Sequence, residues 1–137
     1  LWLDGVERKY VEEGGGMNVM FKIGGTVVTP ALTGSILRGI TRKSSIELLK
    51  SWGVLVEERL LSVDELFKAA ESGALEEAWC VGTAAVVSPI GTLSWDGRDY
   101  PINGNKIGAL SRRLYDELTG IQWGTKPDPF GWTCPID

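Results

Sequence analysis

The chain has 137 residues, of which 14 are basic and 18 acidic, and its net charge is −4. This length suits one domain or part of one. The charge balance argues against a nucleic-acid partner, and no apolar run reaches the roughly 18 residues of a membrane span. Because histidine is absent, a zinc site or a histidine-activated nucleophile is close to excluded. Cys80 and Cys134 form no CxxC pair, which favours a reducing, cytosolic setting.

The first half of the sequence predicts short strands and one helix. The predicted elements are two strands within residues 1–13 around the turn Asp4-Gly5, a hairpin of residues 18–23 with 26–29 through Gly24-Gly25, and a helix over residues 41–52. Pro30 is expected to end the hairpin and Gly53 to stop the helix. A loop rich in small residues, 31–39, connects the two.

The second half predicts further strands and two more helices. The predicted elements are a strand within 54–60, a helix from the capping box Ser62–Glu65 to Gly73, an apolar strand run over 78–88, a hairpin of 93–95 with 98–102 through Asp96-Gly97, and a helix over 106–118 stopped by Gly120. The run over 78–88 is expected to be buried on both faces, and the tail after Gln122 to be irregular but packed. We therefore expect an α+β domain on a mixed sheet.

A carboxylate directly before three glycines is the first candidate site. Glu13 precedes Gly14-Gly15-Gly16, and an apolar strand follows. Glycine lets a backbone pass close to a flat ligand, and the carboxylate would then lie at the edge of that ligand. A plain turn between two strands is the alternative explanation of these glycines.

The start of the first predicted helix is the second candidate site. Gly39-Ile40-Thr41-Arg42 lies where the small-residue loop enters the helix. A helix N-terminus offers unpaired N–H groups and a partial positive charge, which suit a phosphate. Thr41 is also a natural N-cap, so simple capping is the alternative.

A glycine followed by a hydroxyl inside the apolar run is the third candidate site. Gly82 would permit close approach of a ligand, and Thr83 would offer one donor and one acceptor; a bulge in a buried strand is the alternative. The three segments together suit an anionic, planar, nitrogen-bearing cofactor. Pyridoxal phosphate is the obvious candidate, since a carboxylate beside its ring nitrogen keeps that nitrogen protonated.

The same three segments resemble the cofactor-binding motifs of branched-chain aminotransferases, which belong to the class IV (fold type IV) pyridoxal-phosphate enzymes. The matching motifs are Glu13-Gly14-Gly15-Gly16-Met17-Asn18, Gly39-Ile40-Thr41-Arg42 and Gly82-Thr83-Ala84-Ala85. Residues 1–5 and 118–124 resemble the same family, so the resemblance covers essentially the whole chain.

The resemblance implies where the cofactor pyridoxal 5'-phosphate would be held. Glu13 would pair with the pyridine nitrogen. At the helix start that follows Gly39, Ile40 and Thr41 would bind the phosphate through backbone N–H groups, and Thr41 also through its hydroxyl.

The resemblance also implies the role of the third segment. At the Gly82-Thr83 step, Thr83 would add a further phosphate contact. The backbone of Thr83 and Ala84 would help to receive the substrate carboxylate.

The family's reaction moves an amino group between leucine, isoleucine or valine and 2-oxoglutarate through a Schiff-base lysine. Its fold has two domains, and residues 1–137 correspond to most of the larger, C-terminal, cofactor-binding domain, a barrel-like mixed sheet with helices outside. The lysine and the N-terminal domain would lie before Leu1, so this chain holds no catalytic residue and should be inactive alone. Family members are usually homodimers, and a cytoplasmic location is expected.

Several residues depart from the family pattern, and they leave alternatives open. Gly14 and Gly16 stand for a more typical Val and Thr, Arg38 for a proline, and Cys80-Val81 for a Gly-Thr pair. Other class IV enzymes, a D-amino-acid aminotransferase or an aminodeoxychorismate lyase, are the first alternative. A non-catalytic structural or interaction domain with the same fold is the second.

Overall fold

The chain contains both strands and helices in the computed structural model, which describes residues 1–134 and 136. The strands are β1 (Trp2–Leu3), β2 (Val11–Glu13), β3 (Asn18–Ile23), β4 (Thr26–Pro30), β5 (Val56–Arg59), β6 (Leu75–Gly82), β7 (Val86–Pro89), β8 (Thr92–Trp95) and β9 (Arg98–Pro101). The helices are α1 (Ile40–Ser51), α2 (Val63–Ser72) and α3 (Ala109–Gln122), with a short 3-10 turn at Asn103–Asn105.

Five strands form one mixed sheet in the order β5-β4-β3-β6-β7. The pair β4–β5 is parallel, whereas β3 is antiparallel to both β4 and β6. The strands β1–β2 and β8–β9 form two separate antiparallel pairs. The predicted α+β fold on a mixed sheet is confirmed, although the described strands leave the five-stranded sheet open, with β5 and β7 at its edges, instead of closing it into a barrel.

The two faces of this sheet are covered by different elements because side chains alternate along each strand. Phe21 and Ala78 lie in a buried cluster with α2, on one face. Met20 and Trp79 lie in a second cluster with α1 and α3, on the other. The central strands β3 and β6 therefore present apolar side chains to both faces, as predicted for the run that contains Trp79.

The single apolar strand predicted over 78–88 is in fact two strands. β6 ends at Gly82, a three-residue turn follows, and β7 pairs back antiparallel with Val81 opposite Val87. Val86 has a positive φ of 57°, so the chain reverses without a proline or an Asn-Gly signal. Hydrophobic periodicity cannot reveal such a turn, because the apolar residues on both sides of it are buried.

Gly120 does not stop the last helix, which begins at Ala109 and continues to Gln122. Gly120 is buried, and a Cβ at this position would come within 2.6 Å of the Lys126 side chain. Lys126 is held there by an ion pair with Glu117 at 2.6 Å. The glycine therefore serves close packing of the returning tail, and Ile107, predicted inside the helix, precedes it and is exposed.

The tail after Gln122 is irregular, as predicted, and is partly packed. The rings of Phe130 and Trp132 stack with centroids 4.3 Å apart, and both side chains pack against the α1–α3 cluster. Trp123, in contrast, is 82% exposed. Pro135 and Asp137 lie outside the described residues.

Local signals at the other element ends have mixed outcomes. Ser62 caps α2, since its hydroxyl accepts a hydrogen bond from the Glu65 N–H at 3.1 Å. The Glu65 carboxylate pairs with Arg59 at 2.6 Å instead of completing the capping box. Between β1 and β2 the Asp4 carboxylate accepts backbone N–H groups of Tyr10 and Glu7, which lower the pKa of Asp4 to about 2.

A buried carboxylate from the sheet caps the last helix. Glu77 on β6 accepts hydrogen bonds from the backbone N–H groups of Leu110 at 3.0 Å and Ser111 at 2.9 Å. Only 7% of Glu77 is exposed. These two donors would otherwise be unpaired at the helix start, and the helix dipole favours a negative charge there.

Replacing Glu77 by alanine should therefore destabilise the fold by about 2 to 3 kcal/mol, because two N–H groups at a partly buried helix start lose their acceptor. Urea unfolding followed by circular dichroism would measure the change. The control is Asp116→Ala, which removes an exposed ion pair with Arg112 on the same helix and should cost well under about 1 kcal/mol. Equal losses in the two variants would show that Glu77 does not cap α3.

Candidate cofactor site

The three segments singled out in the sequence meet at the start of β3. Because β3 and β6 are antiparallel, with Asn18 opposite Val81, the first residues of β3 lie beside the last residues of β6. Gly14 pairs with Met17 through backbone hydrogen bonds of 2.9 and 3.1 Å, which brings the glycine turn to the same place. The beginning of the central strand β3, at Met17 and Asn18, is thus where the three segments meet.

Asn18 links the beginning of β3 to the start of α1. Its side chain is buried, and Nδ2 donates a hydrogen bond to the Leu37 carbonyl at 2.9 Å. A Cβ on Gly39 would lie well inside 3.0 Å of the Asn18 Oδ1 atom. The helix start can therefore approach the sheet only because residue 39 is glycine.

Glu13 is tied to the same loop from the other side. Its Oε1 atom accepts a hydrogen bond from the Leu37 N–H at 3.3 Å, so the Leu37 residue is held by Glu13 at its nitrogen and by Asn18 at its carbonyl. Within the described residues Oε2 of Glu13 has no hydrogen-bond partner. The preceding Glu12 accepts a hydrogen bond from the Ser35 hydroxyl, which is a second contact between β2 and the same loop.

The start of α1 lacks a side-chain cap among the described residues. The helix begins at Ile40, and its N-cap is Gly39, with φ at +66°. The interpretation of Thr41 as the N-cap is wrong, because Thr41 is the second helical residue and is itself buried. The first N–H groups of α1 are consequently available to an anion, and the helix dipole adds attraction.

The Gly82-Thr83-Ala84 segment ends β6 and enters the turn before β7. A Cβ on Gly82 would come within 3.0 Å of the Met17 side chain, so glycine again permits a close approach and no bulge is needed. Thr83 and Ala84 are both exposed in the turn. The Thr83 hydroxyl and the backbone groups of both residues are therefore accessible at the end of the sheet where Met17 lies.

These groups form an open surface rather than an enclosed cavity. A cavity of about 510 Å³ lies beside Arg38, Gly39 and Ile40, and another of about 190 Å³ is lined in part by Thr41 and Trp132. Neither is lined by Glu13 or Thr83. The donor set nevertheless fits pyridoxal phosphate: a carboxylate for the ring nitrogen, and an uncapped helix start together with the exposed Thr83 hydroxyl for the phosphate.

Asn18 and Leu37 were not singled out individually in the sequence, although both position the candidate site. Asn18 carried a usable signal, since it is a polar residue that opens an otherwise apolar strand and must be hydrogen-bonded if buried. Leu37 carried none, because it contributes only backbone groups.

A sequence model of amino-transferase class IV matches residues 5–93 of the chain. The match covers more than half of the chain, and the chain belongs to the class IV aminotransferase family. The resemblance found in the three motifs is thereby confirmed.

Its relatives in this family are branched-chain aminotransferases. The chain is 54% identical over 136 residues to branched-chain-amino-acid aminotransferase 2 of Bacillus subtilis (strain 168), covering 99% of this chain and 38% of that protein. It is 56% identical, with the same coverage, to a probable branched-chain-amino-acid aminotransferase of Staphylococcus aureus (strain N315). The chain thus spans only about 38% of the length of these relatives.

Solved structures of the same enzymes share the fold. The branched-chain amino acid aminotransferase of Escherichia coli matches with a TM-score of 0.74 and 32% identity over 90% of this chain and 38% of its own. The T.th. branched-chain amino acid aminotransferase, solved with pyridoxamine 5'-phosphate, matches with a TM-score of 0.79 and 31% identity over 96% of this chain and 39% of its own.

Residues 1–134 and 136 contain no group of three or more acidic or cysteine side chains that could hold a metal ion. In the same residues no helix is long and apolar enough to cross a membrane.

Proposed function

We propose that this chain is the C-terminal, cofactor-binding part of a branched-chain aminotransferase, which moves the amino group between leucine, isoleucine or valine and 2-oxoglutarate with pyridoxal 5'-phosphate. The observation that carries the proposal is the meeting of the glycine turn, the start of α1 and the end of β6 at Met17 and Asn18. The identity of 54% to a named enzyme of this activity supports it.

Glu13 is proposed to hold a proton on the cofactor's ring nitrogen. When bound, pyridoxal phosphate withdraws electrons from the substrate's α-carbon, and a protonated ring nitrogen strengthens that withdrawal. The Leu37 N–H donates to Oε1 of Glu13, which leaves Oε2 to accept a hydrogen bond from the protonated ring nitrogen. A carboxylate at this position favours the protonated, cationic form of the ring by charge attraction.

The start of α1 and the turn after β6 are proposed to hold the phosphate. The backbone N–H groups of Ile40 and Thr41, which receive no side-chain cap from Gly39, would donate to an anion at the positive end of the helix dipole. Gly82 allows the turn to lie close to the ring, and the Thr83 hydroxyl adds a donor. The backbone of Thr83 and Ala84 is proposed to orient the substrate carboxylate.

The rest of the activity is proposed to come from outside residues 1–137. The Schiff-base lysine and the N-terminal domain would precede Leu1, so the chain alone should not transfer amino groups. We further propose a homodimeric, cytoplasmic protein, whose partners are a small amino acid and a 2-oxo acid.

The test is to express the protein with its upstream coding sequence and assay amino transfer from leucine, isoleucine and valine to 2-oxoglutarate, with D-alanine as a comparison substrate. Transfer from the three branched-chain donors, with none from residues 1–137 alone, is the expected result. Transfer from D-alanine only would favour a D-amino-acid aminotransferase. Absence of both transfer and a cofactor absorbance band would end the proposal.

A further inference from the structure

The residue after Glu13 lies directly against a buried thiol. The Cys80 Sγ donates a weak hydrogen bond to the Gly14 carbonyl oxygen, 3.9 Å away. A Cβ on Gly14 would lie well inside 3.0 Å of this sulfur, whereas its next neighbours, both in Val19, would be at an ordinary 3.8 and 4.0 Å. Among the described residues, the sulfur of Cys80 is therefore the one atom that obstructs a Cβ on residue 14.

The Cys80 sulfur thus occupies the place that a Cβ on residue 14 would need. Cys80 is 6% exposed and lies on the sheet face that packs against α2. Gly14 has no positive φ, so the contact with the sulfur, and not backbone strain, is what opposes a methyl group at that position. The departures from the family pattern at positions 14 and 80, noted separately in the sequence, concern one and the same space.

The contact between Cys80 and Gly14 affects the backbone next to Glu13, the residue proposed to pair with the ring nitrogen. Gly14 follows Glu13, the last residue of β2, and exchanges two hydrogen bonds with Met17, so a shift of Gly14 would also shift Glu13. Burial raises the pKa of the Cys80 thiol, which keeps the S–H donor in place. The thiol packs against the glycine turn and donates to the Gly14 carbonyl oxygen.

We infer that Gly14 and Cys80 are complementary in size: the thiol occupies the space that a Cβ on residue 14 would need and sets the distance between the glycine turn and β6. Cys80 is therefore a positioning residue for Glu13. The packing relation stands on the geometry alone, while its meaning for the cofactor rests on the proposed function. The pair predicts that a methyl group at position 14 and a sulfur at position 80 can substitute for one another.

Three variants of the full-length protein test the pair: Cys80→Ala, Gly14→Ala and the double variant. Amide hydrogen exchange at positions 14 and 17, whose N–H groups make the two hydrogen bonds of the turn, measures the stability of the turn without any ligand. Each single variant should speed exchange by about tenfold, one by leaving a void and the other by collision. The double variant, in which the methyl group fills the place of the sulfur, should return close to wild type.

The control is Gly16→Ala, which adds a methyl group in the same turn with no atom within 4 Å of it. Its effect should simply add to that of Cys80→Ala. Additive effects of Gly14→Ala and Cys80→Ala would overturn the pair.

The dissociation constant of pyridoxal phosphate tests the positioning role. Both single variants should weaken binding by several-fold, and the double variant should recover it. Coupled exchange with unchanged cofactor affinity would overturn the positioning role. A wild-type protein that binds no cofactor would instead overturn the proposed function, and the exchange data would still decide the pair.

Discussion

Replacing Glu13 by glutamine in the full-length protein is expected to slow amino transfer by on the order of 10²–10³-fold, the usual effect of removing one preorganised electrostatic contact. Glutamine matches the shape of the side chain and keeps an oxygen that can accept the Leu37 N–H, now at 3.3 Å from Oε1. The negative charge that would hold a proton on the ring nitrogen is what disappears. Single-turnover rates with leucine, measured at saturating cofactor, report this loss.

Glu12 provides the matched control, since it lies on the same short strand and also contacts the loop, through the Ser35 hydroxyl. Glu12→Gln should change the rate by no more than about twofold, because substitutions away from the reacting groups usually have small effects. If both variants lose activity equally, the strand is merely sensitive to any change, and Glu13 has no special role. A shift of the cofactor's absorbance band in Glu13→Gln only would strengthen the assignment.

Turn chemistry made most of the hairpins predictable. Gly24-Gly25 and Asp96-Gly97 join β3 to β4 and β8 to β9 as expected, because positive φ values are needed at adjacent positions there and few residues supply them. Helix α2 was predictable for the same reason, with Ser62 and Gly73 at its ends. In each case the determining interaction spans four residues or fewer.

Where long-range packing decides, the sequence pattern was misleading. The break after Gly82 depends on the pairing of β7 with β6, and Gly120 depends on a lysine that returns from the tail. Glycine has one sequence signature and at least two uses, conformational freedom and close approach. Only the tertiary structure separates them.

The candidate site shows the same division. Glu13, the start of α1 and the Thr83 step could be proposed from the sequence because each is a local motif with its own chemistry. The loop residue that joins them, Leu37, acts through backbone atoms that every residue has, and Asn18 acts on a partner 19 positions away. Motifs therefore singled out the groups that we propose to touch a ligand, and the structure was needed to find what holds these segments together.

Replacing Gly39 by alanine is the second large effect we expect: the dissociation constant of pyridoxal phosphate should rise by at least about tenfold. A left-handed backbone costs a non-glycine residue roughly 1–2 kcal/mol, and tenfold in affinity corresponds to about 1.4 kcal/mol. Gly39 has φ at +66°, and its Cβ would also collide with the Asn18 Oδ1 atom. Relief of both strains moves the first N–H groups of α1 away from the phosphate, and titration of the apoprotein with cofactor measures the result.

Gly34→Ala separates this displacement from general loop strain. Gly34 lies in the same loop with φ at +104°, but a Cβ there would meet no atom within 4 Å. It should cost stability through its backbone angle alone and leave cofactor affinity nearly unchanged, because it is five residues before the N-cap of the helix. Since the two variants share the backbone penalty and differ in the collision with Asn18, a larger loss of affinity in Gly39→Ala isolates the contact between the helix start and β3. Equal affinities in the two variants would mean that the start of α1 does not hold the phosphate.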